Sequence, residues 1–450
     1  MIELLRSGAG NPRSGPAVIG DTCEIDYPRL TGLAQSAAAW LAAERVARFA
    51  IADIDADTVI ALLAAASLSG AEACVYPPED AGALQRLAQR FDHELVISTR
   101  DDLTGFGAVV DPATVFATDG PVPQRVPDAR PHLVLTTGTT GAPRGVRHDW
   151  SRLLRRFAGT EAAPVQRWLL CYGLHQFAGL QVILHVMAVQ AVLVAPAPRR
   201  PREGLAAMRR HGVTHASATP TYWRFLLAES RSGGGALPDL QQLTLGGEAV
   251  PDALLAQLRS AFPTAKISHV YAANEIGSTG SVRDGRSGIP IDLLDRDDAE
   301  VCMKVVDGQL FVRSRNGMLG YYGEPDVDAD AWRATSDVVE VVAGRVLFRG
   351  RSSDIVNVGG VKVHPLPVEE RIAEIGGVEL VRVYGRPNPL TGYIVAAEIV
   401  PAAGADTDAL ADAVRDACAD LPAAARPRSI KFVERLATAG GKIARRSVDE

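Results

Sequence analysis

The chain has 450 residues, 47% hydrophobic and 22% charged, an ordinary globular balance with length for two or three domains and a large core. A net charge of −6 gives no bulk electrostatic case for a nucleic-acid partner. The most apolar stretch, 180–196, is broken by Gln181, His185 and Gln190, so no membrane span is expected; five scattered cysteines without CxxC spacing argue against a disulfide framework or a zinc site and point to a cytoplasmic protein.

Residues 30–48 are alanine-rich with helical spacing, 48–52 read as a strand, and 55–68 as a helix that is apolar nearly all round. A strand at 73–76 stops at Pro77-Pro78, a helix covers 83–91 and a strand 94–98. Strands alternating with helices predict a parallel sheet with helices on its faces. Residues 99–130 have little periodicity and close in a proline-rich connector. A buried strand at 133–135 and a glycine–threonine loop come next, then a helix from 148 to 156, a strand at 168–172, an apolar helix and a strand at 191–195. A second βα run passes through 205–210, 216–220 and 221–229 to an apolar strand at Leu243-Thr244-Leu245, a helix at 252–262 and a strand at 266–271. From 299 to 351 short β segments with tight turns, such as Val305-Val306-Asp307-Gly308, predict an antiparallel unit. Beyond it lie a strand pair at 356–363, a helix at 367–375, strands at 378–384 and 393–400, and a helix at 407–421. The expected fold class is α/β: a large N-terminal domain of α/β layers plus an antiparallel β unit, 1–350, and a small α+β C-terminal domain, 351–450.

The loop after 133–135 carries the first chemistry. Thr136, Thr137, Gly138, Thr139, Thr140 and Gly141 are followed by Ala142, Pro143 and Arg144. Glycines let backbone N–H groups converge on an anion, threonine hydroxyls add donors, and an arginine adds a permanent charge suited to phosphate. The Walker pattern is excluded, because no Lys-Ser or Lys-Thr follows the second glycine. Gly246, Gly247 and Glu248 follow an apolar strand, and two glycines allow a flat ligand to approach the backbone. Tyr271, Ala272, Ala273, Asn274 and Glu275 follow another; a carboxylate at such a strand end can hold Mg²⁺ against triphosphate oxygens. Taken singly, each is an ordinary loop, and Lys442 behind Gly440-Gly441 is an ordinary tail lysine.

Together, in this order over most of the chain, they resemble the adenylate-forming superfamily: acyl- and aryl-CoA ligases, luciferases and adenylation domains of peptide synthetases. The chain is closest in size to the small acyl- or aryl-CoA ligases. The resemblance implies a phosphate loop at 136–145 with Arg144 in place of the usual lysine. It matches Tyr271 and Glu275 to the Tyr-Gly-x-Thr-Glu signature, with Glu275 the magnesium ligand and Asn274 replacing a threonine that contacts the α-phosphate. Gly246, Gly247 and Glu248 would line the adenine and acyl pocket. Trp332-Arg333-Ala334-Thr335-Ser336-Asp337 resembles Trp-x-x-Thr-Gly-Asp, whose aspartate, here Asp337, holds the ribose hydroxyls; Ser336 replaces the glycine. Arg351 would contact ribose or phosphate and open a hinge in which Ser353 takes the place of the usual aspartate or lysine. Lys442 would bridge substrate carboxylate and α-phosphate, with Gly440 in place of a serine. The acyl pocket is expected from His175, Phe177, Tyr222, Trp223, Gly247 and Ala272, and the aromatic pair in it suggests an apolar or aromatic acid.

The implied activity is ATP-dependent conversion of a carboxylic acid to acyl-AMP and pyrophosphate, with Mg²⁺, followed by thioester formation with CoA. The alternative acceptor is the phosphopantetheine of an acyl carrier protein. The alternative of another class is a degenerate, non-catalytic nucleotide-binding protein. The oligomeric state, monomer or homodimer, stays open.

Overall fold

The helix Ala56–Ser69 is buried on almost every side, as its all-round apolar pattern requires, because it lies in a layer shared by two sheets. The computed structural model describes the chain except residues 22, 137–142, 297–299, 440–441 and 444–450. In one sheet the strand order is Gly277–Val282, Lys266–Ala273, Gln242–Gly246, His215–Ala218, Arg167–Leu170, Val192–Val194, Pro16–Ile19 and Glu24–Asp26, parallel except at its two edges. The other runs Gly320–Tyr321, Arg144–Asp149, Pro131–Thr136, Glu72–Val75, Arg48–Ile51, Leu95–Ile97 and Ala108–Val110. The helices Tyr27–Ala43, Ala56–Ser69 and Phe177–Ala188 share one apolar core with both. Outside the first sheet, the helices Pro201–Arg210, Pro220–Glu229 and Asp252–Ala261 enclose a second core.

An all-antiparallel sheet, Ile289–Pro290, Arg345–Arg351, Arg333–Val342, Gln309–Ser314 and Val301–Val306, follows as the tight turns predict. The C-terminal unit has its own sheet, built on the hairpin Val378–Asn388 and Gly392–Pro401, and its own core with the helices Pro365–Ala373 and Thr407–Ala417. Phe225 of the large unit packs against Leu380, Val400 and Leu436 of the small one. Among the described residues no helix is long and apolar enough to cross a membrane.

Two local expectations are corrected, and one sheet edge is built by strands that carry no clear sequence signal. The glycine–threonine loop does not lead into a helix at 148: the chain returns as the antiparallel strand Arg144–Asp149, and the helix Trp150–Arg155 starts only where the Asp149 side chain accepts from Ser151 N. The stretch 99–130 contains the strand Ala108–Val110 and the short helix Pro112–Phe116. The N-terminal strands Pro16–Ile19 and Glu24–Asp26, not anticipated, complete the first sheet by pairing with Val192–Val194 far along the chain.

Candidate functional site

The strands His215–Ala218, Gln242–Gly246 and Lys266–Ala273 run parallel, so the residues after their C-terminal ends open onto one edge, where open α/β sheets place ligands. Gly247 follows the second, with φ +84°, and Asn274 and Glu275 follow the third. Glu248 is fixed from below: its carboxylate accepts from Thr221 N at 3.0 Å and Thr221 Oγ1 at 2.9 Å.

Lys442 enters this edge from the C-terminal unit, on a short ribbon formed by Thr438–Ala439 and Lys442–Ile443. A β-carbon built on Gly247 would stand 3.1 Å from its Cε and 3.4 Å from its Nζ. Burial by the surrounding protein lowers the Lys442 pKa from the ordinary lysine value, although one side stays open to the cleft; Glu248, Asp337 and Glu275 pull it back up and Arg351 opposes them. One ammonium is thus in the field of three carboxylates from three separate motifs.

Asp337 and Arg351 face each other across the hairpin of Arg333–Val342 and Arg345–Arg351, with Arg351 Nε 3.5 Å from Asp337 Oδ1. Tyr271 Oη donates to Asp337 Oδ2 at 2.6 Å, and its ring stacks on Phe348 at 5.0 Å. Burial, then the neighbouring carboxylate, pushes the Tyr271 hydroxyl far above its usual range, so it remains a donor. Glu275 accepts from Tyr321 Oη at 3.2 Å on Oε1, and its other oxygen has no partner among the described residues. A half-satisfied carboxylate at an open edge fits Mg²⁺, which takes one or two carboxylates and completes its shell with phosphate oxygens and water.

Of the phosphate loop, Thr136 ends its strand and pairs with Arg144, whose carbonyl accepts from Thr136 Oγ1 at 3.3 Å. Thr137, Gly138, Thr139, Thr140 and Gly141 lie outside the described residues, as does Gly440. Arg144 pairs with Glu324 at 2.9 Å and lies 3.3 Å over the Tyr321 ring. Neither Glu324 nor Tyr321 carried a sequence signal, since both are reached only by strand pairing with Gly320–Tyr321.

Three expected ligand contacts are placed elsewhere. Asn274 is buried: His148 Nε2 donates to its Oδ1 at 2.7 Å, and its amide nitrogen faces Val134 O at 3.5 Å, so its amide is committed to these two partners rather than free in the cleft. Trp223 is wholly buried, its indole N–H donating to Thr244 O at 3.1 Å. Tyr222 directs its hydroxyl at Arg200 O, 3.5 Å away. The cause is local: Thr219 caps the helix Pro220–Glu229 by accepting from Tyr222 N at 3.0 Å, which turns the first helical turn into the second core. Phe177 begins its helix buried, stacked on His148 at 5.3 Å. His175 is half-buried and folds back over Gly173, and burial, with Arg199 adding to it, lowers its pKa to about 4, so it is neutral. Ala272 is half-buried near the strand end. Tyr172, not anticipated, does line this edge, its hydroxyl 3.6 Å from where a Gly246 β-carbon would be.

Residues 5–322 match the model of the family described as AMP-binding enzyme, and 367–442 that of the AMP-binding enzyme C-terminal domain. The chain is 27% identical over 370 residues to the 3-[(3aS,4S,7aS)-7a-methyl-1,5-dioxo-octahydro-1H-inden-4-yl]propanoyl:CoA ligase of Mycobacterium tuberculosis, covering 78% of this chain and 71% of that protein. It is 28% identical to the feruloyl-CoA synthase of an Amycolatopsis species, with 69% and 67% covered. The isonitrile lipopeptide synthase of Streptomyces coeruleorubidus matches at 28% over all of this chain, which spans 33% of that protein. In fold, the chain is similar to an anthranilate CoA ligase in complex with anthranoyl-AMP, at a TM-score of 0.82 and 20% identity, covering 99% of this chain and 95% of that one.

Proposed function

This chain belongs to the AMP-binding enzyme family, and we propose that it is an AMP-forming acid–thiol ligase: it activates a carboxylic acid with ATP, apolar or aromatic as the names of the feruloyl-CoA synthase and anthranilate CoA ligase it resembles suggest, and passes the acyl group to the thiol of CoA. The observation that carries this reading is the position of Lys442 over Gly247, in the field of Glu248, Asp337 and Glu275. Two anions, the acid's carboxylate and the α-phosphate, must meet, and an ammonium set where they meet offsets their repulsion as charge moves.

A carboxylate oxygen attacks the α-phosphorus and the bond to pyrophosphate breaks, leaving acyl-AMP. Asp337, held by Tyr271 and Arg351, accepts the vicinal ribose hydroxyls. Arg144 and the loop it closes grip the departing phosphates. Glu275 would hold a magnesium ion, which would supply neutralising charge to the triphosphate oxygens. The acid lies beside Tyr172, His175 and Ala272. The mobile domain, 351–450, then rotates about the segment from Arg351 to Asp354, and the thiol attacks the acyl carbon with release of AMP. Five cysteines without disulfides, four of them buried, support a cytoplasmic setting.

A carrier-protein phosphopantetheine is the second acceptor, favoured by the match of the whole chain to a part of the lipopeptide synthase. Pyrophosphate exchange over a panel of acids tests the first half-reaction: ATP binding without exchange for any acid would sink the enzymatic reading in favour of a non-catalytic nucleotide-binding protein. CoA and candidate carrier proteins, supplied separately, then decide the acceptor.

A further inference from the structure

Arg333 is half-buried, and its guanidinium has no ion-pair partner among the described residues. It stands in the strand Arg333–Val342 opposite Val312, and paired residues share a face, so its side chain enters the interior beside the turn that carries Glu275. Its neighbour Trp332 takes the other face, where Lys304 and Arg313 lie over the ring. Nε, Nη1 and Nη2 of Arg333 are all buried, and none has a hydrogen-bond partner among the described residues. Gly317 leaves the room: a β-carbon there would stand 2.7 Å from Glu275 O and 3.4 Å from Arg333 Nη2. The charged and ionisable groups in its field are Tyr321, Glu275, Arg152 and Asp328. Tyr321 is the group that donates to Glu275.

A guanidinium whose nitrogens are shielded from solvent without partners is costly, since its charge cannot be discharged. The favourable charges it can meet are on Glu275 and Asp328, and on whatever Glu275 faces. We propose that Arg333 is a positioning residue for the metal half of the site: its fixed charge keeps Glu275 from holding a divalent cation until the triphosphate arrives with it. The proposal rests on the role given to Glu275 above. The same charge attracts the triphosphate, an attraction that Arg144 supplies less of while it is paired with Glu324. Nucleotide and metal thus enter together and leave together, the metal with pyrophosphate.

The test is calorimetric titration of the ATP-free protein with Mg²⁺ alone, beside titration with MgATP. Arg333→Met should bind Mg²⁺ alone roughly tenfold more tightly than the unmodified protein and MgATP several-fold more weakly, and Arg333→Lys should behave like the unmodified protein. Adding Glu275→Gln to Arg333→Met should abolish the gained Mg²⁺ affinity. Equal Mg²⁺ affinity in Arg333→Met and the unmodified protein overturns the proposal, as does Arg333→Lys matching Arg333→Met, which would assign the effect to shape. Gained affinity that survives Glu275→Gln would show that Glu275 is not the metal's carboxylate, and the underlying reading fails instead. Thermal melts check that each variant is folded; a packing role alone would move these and leave the Mg²⁺ titration unchanged.

Discussion

Lys442 lies over Gly247, close enough that a β-carbon on the glycine would stand 3.1 Å from the lysine Cε. The glycine is required twice, by its φ of +84° and by this approach. Gly247→Ala is expected to lower pyrophosphate exchange at least ~10-fold, with a loss of about 1 kcal/mol in stability from the left-handed backbone alone. A melt that falls while exchange persists would separate the backbone effect from the displacement of Lys442.

Burial lowers the Lys442 pKa from the ordinary lysine value of 10.5, with Glu248 partly restoring it. On the proposed role of Lys442 the protonated amine is the working form, so adenylation should decline as pH rises through this lowered pKa, earlier than an ordinary lysine would allow. Lys442→Ala should cost on the order of 10²-fold or more in exchange. Lys442→Arg keeps a charge that does not titrate, so its alkaline limb should vanish even as the rate falls. Rate against pH for the three forms is the measurement.

Arg144 is held by Glu324 and by the Tyr321 ring. The proposed function assigns it to the phosphates that leave in the first half-reaction. Arg144→Ala should therefore reduce exchange by roughly 10–100-fold and leave thioester formation from preformed acyl-AMP within about twofold. Equal losses in both assays would remove that assignment.

Ser336 has φ +66°, a conformation that L residues other than asparagine and aspartate seldom adopt. The substitution of serine for the family's glycine is therefore strained in place. Ser336→Gly should stabilise the protein by up to about 1 kcal/mol, read as a higher Tm, with little change in exchange.

Glu370, on the helix Pro365–Ala373, lies where the small unit meets Arg224 and Arg349 of the large one. Burial raises its pKa from 4.5 to about 7, and Arg349 only partly opposes this. The folded form holds a proton there that the unfolded chain releases, so stability present below about 4.5 is lost as pH rises to about 7. Glu370→Gln should flatten this dependence, with a Tm above that of the unmodified protein by roughly 2–4 °C at pH 8. Parallel melting curves across pH would refute the burial.

Where periodicity or a motif speaks about the backbone, the sequence is legible. The alternating strands and helices, the antiparallel unit and the separate C-terminal core all follow from spacing, and the strand ends that lead to Gly247 and Glu275 come with them, as does the strand that carries Asp337. Side-chain direction is another matter, since partners distant in sequence decide it. Asn274 is claimed by His148, Trp223 by the cap at Thr219, and Arg144 by Glu324, which arrives only through strand pairing. Motif resemblance also passes over Arg333, because its position is one that the signature leaves unspecified.

Phe225 and the ribbon carrying Lys442 belong to one contact, since Ile443 packs in the same cluster as Phe225. The small unit cannot leave that contact and keep its lysine at Gly247. On the proposed role of Lys442, microscopic reversibility would make that departure a ratchet: a group that speeds adenylate formation also speeds attack of pyrophosphate on the finished adenylate. Withdrawing it for the proposed thiol step would disarm the back-reaction in the same motion.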